Sequence, residues 1–172
     1  MKKFIAIVAV AFTVFAAKAR DPYDMHPLQV SLFPSLQVFD PDVHITGLKL
    51  NLIWGYNETV SGFDVGLFSS VDDFEGVQLN LVNYVDQTAG GIRLSLLNVC
   101  EDAEGIEIGL VNYASVGADG LRVGLVNVTD ESKGLQIGLI NYTKFMQGIQ
   151  IGLINVIAES SVPCLPILNA RF

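Results

Sequence analysis

Gly134-Leu-Gln-Ile-Gly-Leu-Ile-Asn-Tyr142 and Gly148-Ile-Gln-Ile-Gly-Leu-Ile-Asn-Val156 are two copies of one nine-residue pattern, and this pattern decides the fold. Other copies begin at glycines 14 or 15 residues apart along the chain. The opening glycines are Gly47, Gly62, Gly76, Gly91, Gly105, Gly120, Gly134 and Gly148. The shared unit is G-h-x-h-G-L-h-N-[YV], where h is an apolar residue. A fixed internal period of this kind indicates a repeat architecture.

Each unit has the side-chain pattern of a β-strand. Apolar residues occupy the second, fourth and sixth positions, and the residues between them are glycine or polar. A helix is excluded because two glycines, an asparagine and several β-branched residues fall within one unit, and no 3.6-residue apolar stripe can be drawn. The links between units are five or six residues long, which is typical of hairpins, whereas a parallel βαβ crossover needs a dozen or more. The sequence therefore predicts an all-β, antiparallel meander.

The units alternate in their last residue as well as in length. The last residues are Tyr84, Val99, Tyr113, Val128, Tyr142 and Val156. This alternation predicts that odd and even units are not equivalent, with a structural period of two units, or about 29 residues.

The first 19 residues are predicted to be a secretory signal peptide. Lys2 and Lys3 precede an apolar run, and Ala17-Lys18-Ala19 matches the cleavage signal. The apolar run is too short for a transmembrane helix. We therefore expect an exported protein, with residues 20–46 as an N-terminal strand segment and residues 47–172 as the repeat β domain ending in a C-terminal strand.

Composition excludes several functions. The formal net charge of −8 becomes more negative once the signal peptide is removed, so a nucleic-acid partner is not expected. The chain has only two histidines and two cysteines, all far apart, and its acidic turns lack a calcium-loop pattern. We therefore predict no catalytic residue, no cofactor and no metal ligand. Cys100 and Cys164 either form a disulfide or remain free thiols.

The residues predicted to matter are structural. Glycines within or at the edges of strands allow close approach of a neighbouring strand, and the repeated asparagines are expected to satisfy backbone groups where strands end. The clearest of them are Gly105, Asn112, Gly120, Asn127, Gly134, Asn141, Gly148 and Asn155. The terminal Phe172 is a possible signal for outer-membrane assembly.

The repeat resembles a bacterial family of surface-repeat proteins with G-L-Q-h-G-h-h-N units, known from spirochaetes and other diderm bacteria. The resemblance covers nearly the whole chain after the signal peptide. It implies a cell-surface location, but no biochemical activity and no catalytic residue. This chain departs from the usual glutamine at the third position with Lys49, Asp64, Arg93, Glu107 and Arg122.

Three architectures fit two-faced strands. In an outer-membrane barrel of about 8–10 strands, the favoured fold, the apolar face meets lipid and the third-position residues line the lumen. In a β-solenoid with two units per coil, Leu and Asn ladders lie inside, and Arg93 stacks on Arg122. In a soluble barrel or sandwich the apolar face packs inward.

The functional expectation follows from export and from the absence of catalytic motifs. We expect a non-enzymatic, structural or interaction-presenting protein of the cell envelope, associated with the outer membrane or cell surface. The alternative is a secreted or periplasmic module that binds an apolar ligand or a glycan, and the identity of any protein or glycan partner stays open.

Overall fold

The structure is a computed structural model that describes residues 25–172, so the predicted signal peptide lies outside the described residues. This part of the chain is entirely β, without a helix. The strands are β1 (Met25–Phe33), β2 (Leu36–Gln37), β3 (His44–Val85), β4 (Thr88–Leu94), β5 (Leu97–Ile108), β6 (Val111–Val123), β7 (Val126–Ile137), β8 (Ile140–Ile157) and β9 (Cys164–Arg171).

The strands form one continuous stack of coils. β1 and β3 to β8 pair in parallel, each with the next along the chain. Equivalent residues of successive units lie side by side, as Gly105 beside Gly120 and Gly120 beside Gly134. Each coil is therefore one repeat unit of 14 or 15 residues, and the fold is a β-solenoid.

The favoured barrel prediction was wrong, and the solenoid alternative is confirmed for the architecture. The loop-length argument failed because a solenoid needs no crossover: the short acidic segment is the third part of each coil and carries the chain up to the next one. The coil is one unit and not two, so the predicted 29-residue period was wrong as well. The alternation of Tyr and Val instead runs from coil to coil, with Tyr113 beside Val99 and Val128.

Coils of unequal length keep their register through bulges. Tyr113 lies beside Val128 and Gly117 beside Glu131, so β6 has one residue more than β7 between these pairs. The extra residue of the 15-residue coil is absorbed on the acidic side. The glycines and asparagines therefore stay in straight columns.

Both ends of the solenoid are closed by antiparallel strands. β2 pairs with β1, and β9 runs back along β8 with Asn169 beside Gln150. Pro166 within β9 cannot donate to a further strand, and Ile167 has a positive φ of 70°. Such features block strand addition at a sheet edge.

The opening glycine of each coil is required by the backbone. Gly134 has a φ of 123°, which L side chains rarely adopt. A Cβ at this position would also overlap the carbonyl oxygen of Gly120 in the preceding coil. This position in the solenoid therefore accepts only glycine.

The interior has two parts. Apolar side chains fill the interior beneath the acidic segments, among them Val71, Val85, Ala103 and Ala118. The rest of the interior is polar, since the third-position side chains point inward and are at most 3% exposed. These side chains are Lys49, Asp64, Gln78, Arg93, Glu107, Arg122, Gln136 and Gln150.

Candidate interaction surface

The repeat asparagines form a hydrogen-bonded ladder inside the solenoid. Asn112 Nδ2 donates to Asn127 Oδ1 at 2.8 Å, and Asn127 Nδ2 donates to Asn141 Oδ1 at 2.8 Å. Asn127 Nδ2 also donates to the carbonyl oxygen of Ile137 at 3.0 Å, just before the chain bends. The glycine at the fifth position makes room for this ladder, because a Cβ on Gly138 would lie 2.8 Å from Asn127 Nδ2.

An ionic cluster occupies the middle of the third-position ladder. The Glu107 carboxylate accepts from Arg93 Nη2 in the preceding coil and from Arg122 Nε, at 2.5 Å, in the following coil. Because each coil is one unit, Glu107 separates the two arginines that a two-unit coil would have stacked together. Arg93 Nη2 also donates to Cys100 Sγ at 3.1 Å, and burial raises the pKa of this thiol.

A second buried polar cluster lies nearer the N-terminus. The Asp64 carboxylate accepts from Asn51 Nδ2 at 2.6 Å, from Gln78 Nε2 at 3.1 Å and from the Ser69 hydroxyl. Lys49 Nζ donates to Ser69 Oγ at 3.3 Å and to the Ser70 carbonyl oxygen at 3.1 Å. Burial lowers the pKa of Lys49 to about 8, against the attraction of Asp64.

The outside of the solenoid carries an uninterrupted column of leucines where each coil bends, at the sixth position. Their side chains are 47–66% exposed. We call this column the Leu ridge: Leu52, Leu67, Leu81, Leu96, Leu110, Leu125, Leu139 and Leu153. At about 4.8 Å per coil, the ridge is about 34 Å long.

Apolar residues continue on both sides of the Leu ridge. Before the bend, the second and fourth positions point outward, as Ile92 and Ile108 do. After the bend, the seventh and ninth positions point outward, as Ile140 and Tyr113 do. The ridge and these two flanks together are called the apolar wedge. No outward position of the wedge between residues 47 and 156 carries a charged residue.

Tyrosines mark one border of the apolar wedge. Tyr56, Tyr84, Tyr113 and Tyr142 recur in alternate coils where the outer flank meets the acidic segments. Tyr84 donates its hydroxyl to Asp86 Oδ1 at 3.0 Å, and burial and the bond to Asp72 raise the pKa of Tyr56 to about 12. The rings of Tyr56 and Tyr84 therefore have their apolar bodies towards the wedge and their hydroxyls towards the polar side.

The backbone beneath the middle of the Leu ridge is hydrogen-bonded from coil to coil. The amide of Leu110 donates to the carbonyl of Leu96 at 3.0 Å, and the amide of Leu125 donates to the carbonyl of Leu110 at 2.9 Å. Leu139 continues the series with Leu125 at 3.0 Å. Transfer of this part of the ridge into an apolar medium would therefore not strand the amides of Leu110, Leu125 and Leu139.

The side opposite the Leu ridge is acidic. Its turns include Asp72, Asp73, Glu101, Asp102 and Glu104, and an open groove of about 740 Å³ lies there between Thr59 and Gly105. In the described part of the chain no group of His, Cys, Asp or Glu side chains is arranged to hold a metal ion.

The repeat glycines and asparagines singled out in the sequence lie in two separate columns of the structure. Gly105, Gly120, Gly134 and Gly148 stack in one column. Asn112, Asn127, Asn141 and Asn155 form another, inside the coils.

The terminal and cysteine residues lie apart from these columns. Phe172 is 91% exposed, and its role in assembly stays a prediction. Cys100 and Cys164 are free thiols, one buried in the coils and the other exposed on β9.

The apolar wedge was not expected as a surface of the solenoid. In the solenoid alternative the leucines and the asparagines were both expected inside the coil, whereas the leucines point outward and only the asparagines of the two ladders lie inside. The bend at the fifth and sixth positions brings the charged third-position residues and the asparagines of the eighth position into the same interior, although alternation along a flat strand places them on opposite faces.

Comparison of the chain with protein-family models, with curated proteins and with solved structures gives no match. Among residues 25–172 no helix is long and apolar enough to cross a membrane.

Proposed function

We propose that this protein is a non-enzymatic structural protein of the bacterial cell envelope, exported by its signal peptide and held on a lipid surface by the apolar wedge. The observation that carries the proposal is the absence of any charged residue from the outward positions of the wedge. Exposed apolar patches on soluble proteins rarely exceed a few hundred Å². The wedge is about 34 Å long and about 24 Å across along the chain, or roughly 800 Å².

The depth of the wedge supports attachment to one leaflet. Each flank is three or four residues long, about 10 to 14 Å. Interfacial protein elements bury their apolar face about 5–10 Å deep, whereas the hydrocarbon core is about 30 Å thick. The dimensions therefore favour a protein that lies in the interface with its axis along the membrane plane.

The tyrosine column fits the same orientation. Tyrosine is enriched at the boundary between lipid and water, because its ring is apolar and its hydroxyl is polar. With the Leu ridge in the acyl region, Tyr84 and Tyr113 lie at headgroup level and the acidic turns face the aqueous side. The acidic turns are then presented to the surroundings.

The shape of the wedge favours lipid over a second protein. The two flanks diverge from the bend, so a single flat protein surface covers one flank and leaves the other exposed. Fluid lipid covers both. The closed ends of the solenoid also argue against end-to-end assembly.

Flotation with neutral phosphatidylcholine vesicles tests the proposal. A ridge variant, Leu96→Thr/Leu110→Thr/Leu125→Thr, removes three half-exposed leucines that each contribute about 1 kcal/mol to transfer into lipid. We expect membrane partitioning to fall about 100-fold. Because the side chains already face solvent, the unfolding free energy should change little.

A matched control places the same type of substitution on the acidic side. Val116 and Phe145 are 45% and 49% exposed outside the wedge, and Val116→Thr/Phe145→Thr should bind vesicles as the wild type does. Equal flotation of the ridge variant and the wild type would refute the proposal. A wild-type protein that stays in the vesicle-free fraction as a dimer would show that a second copy covers the wedge.

The rival function is a secreted or periplasmic binding module, and the groove beside Gly76 and Gly91 favours it. Hydroxyls of Thr59, Ser61 and Thr88 line this groove. Fractionation of cells that express the chain with its native signal peptide separates the two functions. Recovery in the envelope fraction supports membrane attachment, and quantitative release with the periplasm supports the binding module.

A further inference from the structure

Resting on the proposed function, we propose that the apolar wedge selects convex, loosely packed lipid leaflets with neutral headgroups over flat or anionic ones. The shape of the wedge supports this selectivity. The cross-section is narrow at the Leu ridge and widens along both flanks away from it. Inserted from the water side, it occupies more area among headgroups than among acyl chains. A convex leaflet already has its headgroups spread apart, so it accepts this shape with less distortion.

The charge of the surface around the wedge also supports this selectivity. Residues 25–172 contain six cationic side chains, and Lys49, Arg93 and Arg122 are buried. Lys133 and Lys144 pair with Asp119 and Asp130 at 3.5 and 2.5 Å, and Arg171 donates to the carbonyl of Glu159. The three exposed Lys and Arg side chains of residues 25–172 are therefore engaged within the chain.

Membrane-surface proteins that recognise anionic lipid do so with Lys and Arg near the headgroups. Here the groups next to the headgroups are acidic, as Asp72 and Asp86 are beside the tyrosines. Binding must then come from apolar area alone. Such binding depends on how easily the lipid surface opens, and anionic headgroups oppose it.

The experiment compares small sonicated and large extruded vesicles of phosphatidylcholine at equal accessible lipid area. We expect the wild-type protein to bind several-fold more per unit area to the small vesicles. Inclusion of phosphatidylglycerol should lower binding at low ionic strength, and added salt should restore it because it screens the repulsion.

The outcomes separate the two proposals. If the wild type binds neither vesicle size, membrane attachment itself fails. If it binds both sizes equally, or binds more tightly with phosphatidylglycerol, attachment stands and the selectivity is refuted. The ridge variant should lose binding to both sizes, while Val116→Thr/Phe145→Thr keeps the preference, and circular dichroism verifies that each variant is folded.

Discussion

Neutralising Glu107 should destabilise the solenoid far more than replacing the whole ionic cluster. Glu107 is 3% exposed and bonds to Arg93 and Arg122, which are 1% and 2% exposed. In Glu107→Gln both guanidinium groups stay buried without a counter-charge. Arg93 Nε and Nη1 and Arg122 Nη2 already have no hydrogen-bond acceptor in the described structure. No contact of these atoms therefore replaces the lost carboxylate charge.

The size of the effect follows from the cost of an unpaired buried charge. Breaking a buried ion pair by removing one partner costs about 3–5 kcal/mol, a large part of the total stability of a small domain. The matched variant is Arg93→Gln/Glu107→Gln/Arg122→Gln. It extends the arrangement already present further along the chain, where Gln150 Nε2 donates to Gln136 Oε1 at 3.0 Å. We expect its unfolding free energy to lie within about 1 kcal/mol of the wild type.

Urea unfolding followed by far-ultraviolet circular dichroism measures both variants. The single variant should have a lower midpoint with an unchanged slope, and the triple variant should recover most of the loss. A single variant as stable as the wild type would refute the assignment of buried charges. A triple variant less stable than the single one would show that the ion pairs stabilise the fold in their own right.

Three other predictions follow from the interior. The pKa of Lys49 is about 8 in the folded protein and 10.5 when the side chain is exposed. Between pH 8 and 10.5 the unfolded chain therefore binds more protons than the folded protein, so the unfolding free energy should rise with pH across this range by up to about 3 kcal/mol. The variant Lys49→Met should lack this rise. Gly134→Ala should lower the unfolding free energy by at least about 3 kcal/mol, whereas Gly90→Ala, whose Cβ would lie 3.6 Å from its nearest neighbour, should change it by less than about 0.5 kcal/mol in the same urea assay. Asn127→Ala should lower it by about 2 to 4 kcal/mol in thermal unfolding, since two neighbouring amides lose their partner; unchanged stability with lost ligand binding would contradict a structural role.

The sequence was sufficient for the all-β class and the repeat. These depend on local alternation, which a nine-residue unit such as 134–142 shows by itself. It was insufficient for strand direction, because a five-residue link is compatible both with a hairpin and with the last side of a coil. Only the pairing of Asn112 with Asn127 distinguishes the two.

The surface was harder to predict than the repeat for a related reason. Whether a leucine such as Leu110 faces the interior depends on which residues it shares a face with, and the bend at Gly109-Leu110 breaks the simple alternation. Beyond the bend, residues in odd-numbered positions point outward. If the nine-residue unit is treated as one straight strand, alternation therefore assigns the two flanks to opposite faces. In the structure both flanks point outward and meet at the Leu ridge.

A solenoid that places its leucines outside must obtain its cohesion from other interactions. Here it comes from backbone pairing between coils, from the asparagine ladder and from the third-position ladder, whose amides and charges bond to one another and to neighbouring interior groups. Because this cohesion does not require burial of the Leu ridge, its leucines remain available for contact with an apolar environment outside the protein. The charged members of the third-position ladder determine the order in which similar coils stack. Shifting one coil past its neighbour would put Arg122 against Arg93, whereas the native stacking places Glu107 between them. The polar interior therefore specifies the stacking, and it is the reason why the outside of the molecule can be apolar.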